Sequence, residues 1–140
     1  MEADRYGLQR FVDAQHGVYA QVTGELRQGR KQTHWMWFVF PQIEGLGHSA
    51  MARKYAISSM GEAREYLRHP LLGARLNECT RLVTAVKGRS IEEIFGYPDY
   101  LKFQSSMTLF ARAAVDQGPF TDALTKYFGS TMDRHTIGRL

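Results

Sequence analysis

A chain of 140 residues can bury one hydrophobic core without disulfide or metal staples, so the sequence predicts a single domain over residues 1–140. Its hydrophobic fraction of 44% and charged fraction of 23% are ordinary globular values. The apolar run Trp35–Phe40 is much shorter than the roughly 20 residues that cross a bilayer, which excludes a membrane span there.

The single cysteine and the N-terminal residues indicate the cellular compartment in which the protein is expected. Cys79 stands alone, which excludes an internal disulfide and a Cys-x-x-Cys metal site. Met1–Arg5 is polar and charged, with no apolar segment behind it of the kind a signal peptide has. We therefore expect a reducing, cytoplasmic location and no membrane partner. The net charge of +4 permits an anionic partner, but it is dispersed among 14 acidic residues, so nucleic acid is the least favoured partner.

In chain order, residues 1–7 are expected to be a loose lead-in, and a broken amphipathic helix follows. Apolar residues spaced by three or four from Leu8 to Leu26 predict this helix. His16–Gly17 interrupts the pattern and predicts a break or kink. Gly29 can adopt the left-handed conformation that ends a helix.

An aromatic run and a glycine-rich loop come next. The run Trp35–Phe40 is contiguous, so its periodicity does not separate a buried helix from a buried strand. We favour a short helical turn over residues 33–38 with an extended exit, because the proline that follows disfavours helix in the residue before it. A loop over residues 43–48 and an extended piece over 56–58 are predicted after it.

The remaining chain is predicted as helices separated by caps and turns. The predicted N-terminal caps are Ser49, Ser59, Ser90, Asp99 and Asp133. Ser59 with Glu62, and Ser90 with Glu93, have the spacing of a capping box. The longer helices are predicted over residues 59–67, 70–86, 99–115 and 120–128. The fold class is therefore all-α, a compact irregular array of about seven short-to-medium helices rather than a four-helix bundle.

Polar groups at the two ends of the aromatic run are the first candidates for a site. His34 is either a partly buried histidine that bonds nearby groups, or an acid, base or donor at the lip of the core. Trp35 and Trp37 point in different directions in either conformation, so one is expected in the core while the other can form a stacking wall. Gln42 follows Pro41 in a tight turn and can present its amide to a planar ligand.

Three polar residues elsewhere are candidates as well. Tyr55 belongs to a second polar cluster in the chain. Asp99 is interpreted first as a helix cap that also pairs weakly with Lys102. Ser105 and Ser106 place two hydroxyls inside an apolar helix, where they are unfavourable unless they pair, so they line a small polar pocket or permit close helix contact.

Several standard motifs are missing from the sequence. It contains no P-loop, no Gly-x-Gly-x-x-Gly and no Gly-x-Ser-x-Gly, and its five histidines form no His-x-x-x-His pair, so no metal site is expected. Cys79 is predicted as an inert core residue rather than a nucleophile. The cluster of Arg27, Arg30 and Lys31 is either a solvated helix end or a phosphate-contacting patch. The sequence assigns no catalytic residue and no cofactor, and whether the chain is an enzyme stays open.

Several motifs of the chain resemble a known family. The most specific are His34–Gln42, Gly45–Gly47, Tyr55–Ser59, His69–Gly73, Ser90–Gly96 and Asp99–Lys102. Together they resemble the uncharacterised bacterial proteins known as domain-of-unknown-function family 1810, some of which carry the label calpastatin. The resemblance covers about residues 11–127 and implies a compact, mostly helical domain without an assigned activity. Calpastatins are disordered and polar, whereas this chain has the periodicity of a packed fold, so that label is set aside.

Two functional hypotheses follow from these residues. In the first, the chain binds or processes a small planar ligand, nucleotide- or NAD-related, with Arg30 or Lys31 near its charge. In the second, the aromatic run is pure core and the chain is a non-catalytic protein-interaction module. The pocket of the first hypothesis would be lined by His34, Trp37, Gln42, Tyr55, Asp99 and Ser106.

Overall fold

The structure is a computed structural model that describes residues 3–140. That part of the chain is all-α, as predicted, and holds ten helices rather than about seven. The predicted broken N-terminal helix forms two separate helices, and four of the ten helices contain only four or five residues. The helices are α1 Gln9–Gln15, α2 Tyr19–Gln28, α3 Met36–Val39, α4 Ala50–Lys54, α5 Met60–Arg68, α6 Leu72–Ala85, α7 Ile91–Phe95, α8 Asp99–Ala113, α9 Gly118–Phe128 and α10 Arg134–Ile137.

Local capping chemistry sets several helix ends where the sequence predicts them. The hydroxyl of Ser49 accepts a hydrogen bond from the first turn of α4, and the carboxylate of Asp133 does the same for α10. Ser90 and Glu93 form a full capping box at α7. Gly29 ends α2 in the left-handed conformation, with φ of 72°. These devices need only neighbours within a few residues, which is why the sequence reveals them.

Two predicted caps are wrong in part, because distant cations attract their carboxylates. Ser59 caps α5, but Glu62 does not return the bond to it; its carboxylate accepts from Ser58 and from Arg10, each at 2.8 Å. Glu62 is 2% exposed, and its two oxygens are occupied by the amide and hydroxyl of Ser58 and by the charged donor Arg10. Asp99 is the first residue of α8 rather than its cap and makes ion pairs instead.

The long helix α8 is the centre of the fold. Nine of its fifteen residues are buried, and it packs against α5, α7, α9 and α10. The helix α6 packs against α2, α5 and α9 and extends the same core. No helix in the described range 3–140 is long and apolar enough to cross a membrane.

The aromatic run packs directly on α8. The ring of Phe40 lies edge-on to Phe103 of α8, with 5.0 Å between centroids, and Trp35 contacts Phe40 at 6.2 Å. Phe95 of α7 stacks on Phe103 at 5.0 Å. Each such pair contributes about 0.5–1.5 kcal/mol beyond its buried area. The run is thus a central packing segment, and its helical turn is α3, one to three residues later than predicted.

A short backbone contact fixes the chain on either side of the glycine-rich loop. The amide of Ile57 donates to the carbonyl of Gln42, and the amide of Glu44 donates to the carbonyl of Ile57, both at 2.8 Å. This isolated parallel bridge agrees with the predicted extended piece over residues 56–58. It holds Gln42 beside the segment that contains Tyr55.

Candidate functional site

The two tryptophans separate into a core residue and a surface residue, as their spacing predicts. Trp35 is 2% exposed, and its indole N–H donates to the carboxylate of Glu25 at 3.0 Å. Trp37 is half-buried, and the ammonium of Lys102 lies 5.5 Å from its ring centroid. The indole of Trp37 therefore lies at the surface, where a ligand can reach it.

A buried carboxylate orders the loop that leads into the aromatic run. Glu25 accepts from the backbone amide of Gln32 at 2.6 Å, and from the amide and hydroxyl of Thr33 at 3.0 and 2.6 Å. Burial alone would raise the pKa of Glu25, but these bonds and the indole of Trp35 lower it to about 2. The loop conformation therefore depends on an ionised Glu25.

An ion-pair bridge joins this loop to the start of α8. The carboxylate of Asp99 lies 2.9 Å from the ammonium of Lys31 and 3.5 Å from that of Lys102. Lys31 lies 5.3 Å from the ring centroid of Trp35, as Lys102 lies over Trp37. Asp99 is thus linked to both tryptophans through one lysine each. The longer pairing leaves Lys102 as the cation that is held less tightly by Asp99.

Three predicted site residues share one shallow cleft. Trp37, Gln42 and Tyr55 line it together with Gly45 and Gly47 of the glycine-rich loop. Its volume is about 20 Å³, which is room for about one water molecule rather than for an organic ligand. Any ligand larger than water must therefore lie across the open surface above this cleft.

Tyr55 contributes a fixed wall to this cleft. Its side chain is 6% exposed, and its ring packs between Phe11 at 5.6 Å and Phe38 at 5.5 Å. The ring is therefore held by the core. Its role at the surface is to support the neighbouring Gln42 segment.

A C-terminal arginine that the sequence does not point to lies against Gly45, one of the residues that line this cleft. The guanidinium of Arg139 packs over Gly45, where any side chain would displace it. Gly45 also has φ of 96°, a conformation that other residues rarely adopt. No sequence pattern predicts this contact, because Arg139 and Gly45 are far apart in the chain and share no motif.

Three predicted site residues, His34, Asp99 and Ser106, do not line the cleft, and Asp99 makes the ion pairs described above. His34 is exposed on the surface beside the aromatic run rather than partly buried. Ser106 is fully buried in α8, and its hydroxyl has no hydrogen-bond partner in the described chain. It lies on the helix face that carries Phe103 and Phe110, so its small side chain gives room to those rings. Its neighbour Ser105 does pair, because its hydroxyl lies 3.1 Å from the carbonyl of Leu101 and 3.1 Å from the carboxylate of Asp133 and can donate to either.

Cys79 belongs to the core, as predicted. It is fully buried, and its thiol donates to the hydroxyl of Tyr19 at 3.7 Å. Burial raises the pKa of this thiol to about 12, so the thiolate that reacts or binds metal is scarce at neutral pH. Across residues 3–140, no group of three acidic, histidine or cysteine side chains is placed as metal ligands would be.

The fold and this surface define an all-α protein with an open, partly aromatic cleft. The chain belongs to the family described as protein of unknown function DUF1810, whose model matches residues 5–140. It is 59% identical to the conserved hypothetical protein Rv1873 from Mycobacterium tuberculosis, whose crystal structure was solved at 1.38 Å. The two structures agree with a TM-score of 0.97 over 98% of each chain, and the relative is bacterial, as the resemblance implies. No curated protein matches the chain.

Proposed function

We propose that this chain binds a small, planar, anionic ligand of nucleotide type on a surface formed by Trp37, Gln42, Lys102 and Arg139, which we call the Trp37 surface. The observation that carries the proposal is the half-buried indole of Trp37, which lies beside the ammonium of Lys102 and borders the cleft with Gln42. Stacking of a planar base on an aromatic side chain contributes about 1–3 kcal/mol.

The charges around Trp37 favour an anion. Lys102 is the more loosely held partner of Asp99, and Arg139 lies against Gly45, which lines the cleft. These two cations replace Arg30 and Lys31, the residues expected from the sequence, because Lys31 is already engaged by Asp99 and by the ring of Trp35. A phosphate that reaches either cation would accept charge-assisted hydrogen bonds from it.

The size of the cleft sets the mode of binding. Because about 20 Å³ cannot enclose a base, the ligand lies flat on the surface, with the amide of Gln42 at its edge. Such a site leaves much of the ligand in water, so affinity rests on the stacking face and on the phosphate contacts. Binding, rather than turnover, is the function that this geometry supports.

A titration with adenosine monophosphate and ADP-ribose, followed by NMR, tests the proposal. The indole N–H signal of Trp37 should shift, while that of the buried Trp35 serves as an internal reference. Trp37→Leu should abolish binding, whereas Tyr97→Leu, a matched change at an aromatic residue that is 79% exposed, should leave it unchanged. Equal affinity in the wild type and in Trp37→Leu, or no shift with either compound, contradicts the proposal.

A protein-interaction module is the second candidate function. It is favoured by Tyr97 and Leu101, which are 79% and 41% exposed at the start of α8 and offer apolar surface to a partner. Tyr97 also contacts Tyr100, with 6.2 Å between ring centroids. In this case nucleotides cause no shift of the indole N–H signals, and replacing Trp37 leaves binding of the protein partner unchanged. The double change Tyr97→Ser and Leu101→Ser removes that binding.

A further inference from the structure

A second and larger cleft lies between α5, α6 and the junction of α8 with α9. Its volume is about 360 Å³, within the range of small-molecule sites, and it shares no lining residue with the cleft at Trp37. Three guanidinium groups surround it, and we call it the arginine cleft. The residues that carry the argument are Arg64, Arg68, Arg81, Asn77, Val115 and Phe120.

The positive charge in this cleft is largely unpaired. Arg64 and Arg81 are exposed and take part in none of the four ion pairs within residues 3–140, whereas Arg68 pairs with Glu65 at 2.8 Å. Arg64 and Arg68 are four residues apart on α5, so they project from one face of the helix and repel each other. An anion bound between these groups would relieve that repulsion.

One carboxylate lines the arginine cleft, and a second lies in the cleft that adjoins it. Asp116 is the one carboxylate that lines the arginine cleft, and it accepts from the amide of Gly118 at 3.1 Å in the turn before α9. An adjoining cleft of about 420 Å³ shares Arg81 and Asp116 and adds Asp122. Negative charge therefore increases beyond Arg81, on the side of the adjoining cleft.

The cleft also offers apolar surface at its α8–α9 side. Val115 is fully exposed, and the floor beneath it contains the buried Phe120. A fully exposed valine beside three arginines suits a ligand that has both an anionic group and an aliphatic part. On α6, the side chain of Asn77 donates to the carbonyl of Gly73 at 2.9 Å, so its amide oxygen remains free to accept from the ligand.

We propose that the arginine cleft binds a small phosphate monoester with an aliphatic body. Three guanidiniums against Asp116 in the lining and Glu65, which pairs with Arg68, leave an excess of one positive charge, and a phosphate monoester carries about −1.5 to −2 at pH 7. The planar guanidinium of arginine matches phosphate oxygens in a bidentate manner. Arg64 and Arg81 hold the phosphate, and Val115 contacts the aliphatic chain.

Isothermal titration calorimetry with n-butyl phosphate tests this site. This probe has no ring to stack on Trp37, so Trp37→Leu should leave its affinity unchanged, which separates this proposal from the proposed function. The double variant Arg64→Gln and Arg81→Gln should weaken binding by at least about tenfold, since it removes two charge-assisted partners of the phosphate. Arg53→Gln, at an exposed arginine of α4 outside the cleft, is the matched control and should bind as the wild type does.

Other outcomes would overturn the proposal. Equal weakening by Arg53→Gln would mean that general surface charge attracts the probe. Inorganic phosphate binding as tightly as n-butyl phosphate would remove the role given to Val115. If a single-stranded oligonucleotide bound more tightly than n-butyl phosphate, and through Arg64 and Arg81, the cleft would be a nucleic-acid site. If n-butyl phosphate gave no heat of binding, the proposed site would be ruled out. Thermal unfolding of each variant confirms that these exposed substitutions leave the fold intact.

Discussion

At the scale of single residues, Glu25 orders the loop that leads into the aromatic run. It is a buried carboxylate satisfied by neutral donors from Gln32, Thr33 and Trp35, and no ion pair within residues 3–140 includes it. The bonds hold the loop that carries Lys31, and Lys31 in turn holds Asp99. The position of the Trp37 surface therefore depends on a carboxylate one helix away.

Replacing this carboxylate should destabilise the protein in a pH-dependent way. Because the folded pKa of Glu25 is about 2 and lies below its ordinary value of 4.5, the ionised group stabilises the fold above about pH 4.5, and this stabilisation is lost as pH falls towards 2. Glu25→Gln should lower the free energy of unfolding by about 3 kcal/mol at pH 7 and by much less near pH 2.

Urea unfolding at a series of pH values measures this difference. Glu44→Gln, at an exposed glutamate, is the control and should change the free energy of unfolding by less than about 0.5 kcal/mol. A loss for Glu25→Gln that stays constant from pH 7 to pH 2 would show that ionisation of Glu25 does not contribute.

At the scale of elements, close approach between α5 and α6 depends on a glycine. Gly73 lies in the first turn of α6, where a Cβ would overlap the backbone carbonyl of Leu67 at the end of α5. Gly24, in the middle of α2, has no other heavy atom within 4 Å of the position its Cβ would take. A side chain is therefore excluded at Gly73 by the backbone of α5, whereas at Gly24 there is space for one.

The same substitution should act in opposite directions at these two glycines. Gly73→Ala should lower the free energy of unfolding by about 1–3 kcal/mol, because the backbone of α5 must move. Gly24→Ala should raise it by about 0.5–1 kcal/mol, because alanine loses less entropy in a helix and meets no neighbour. Thermal and urea unfolding of both variants provide the comparison. Equal effects at both positions would mean that intrinsic helix propensity alone decides the outcome.

The helix ends show which caps can be predicted from neighbouring residues alone. Ser49, Ser90 and Asp133 cap where predicted, because their partners are three residues away. Asp99 has the same local pattern, but Lys31 and Lys102 draw its carboxylate away from the helix end. A cap is therefore predictable from the sequence only where no distant charge competes for the side chain.

At the scale of the whole molecule, α8 connects elements that are far apart in the chain. The sequence predicts the all-α class and the packing role of the aromatic run, since both depend on periodicity and composition. Trp37 and Gln42 are close in the chain, so the sequence predicts that they lie near each other. In the structure, the backbone bridge at Ile57 brings Tyr55 to the same cleft. Arg139 could not be predicted, because tertiary packing alone brings it to Gly45.

Because α8 packs on four other helices, we propose that the described chain unfolds as one cooperative unit. Calorimetry should give a single transition in which the van't Hoff and calorimetric enthalpies agree. Glu25→Gln should lower the midpoint of that transition without splitting it, since α2 and α8 belong to the same core. Two separate transitions would show that part of the helical array folds independently.

The contrast between Trp35 and Trp37 makes the protein its own spectroscopic probe. An indole in a dry core that donates to a carboxylate emits at shorter wavelength than one in contact with water, so the two tryptophans should contribute separable bands. Trp35 would report unfolding and the protonation of Glu25, while Trp37 would report events at the surface. Single Trp→Phe variants would then follow folding and ligand binding independently, without an attached dye.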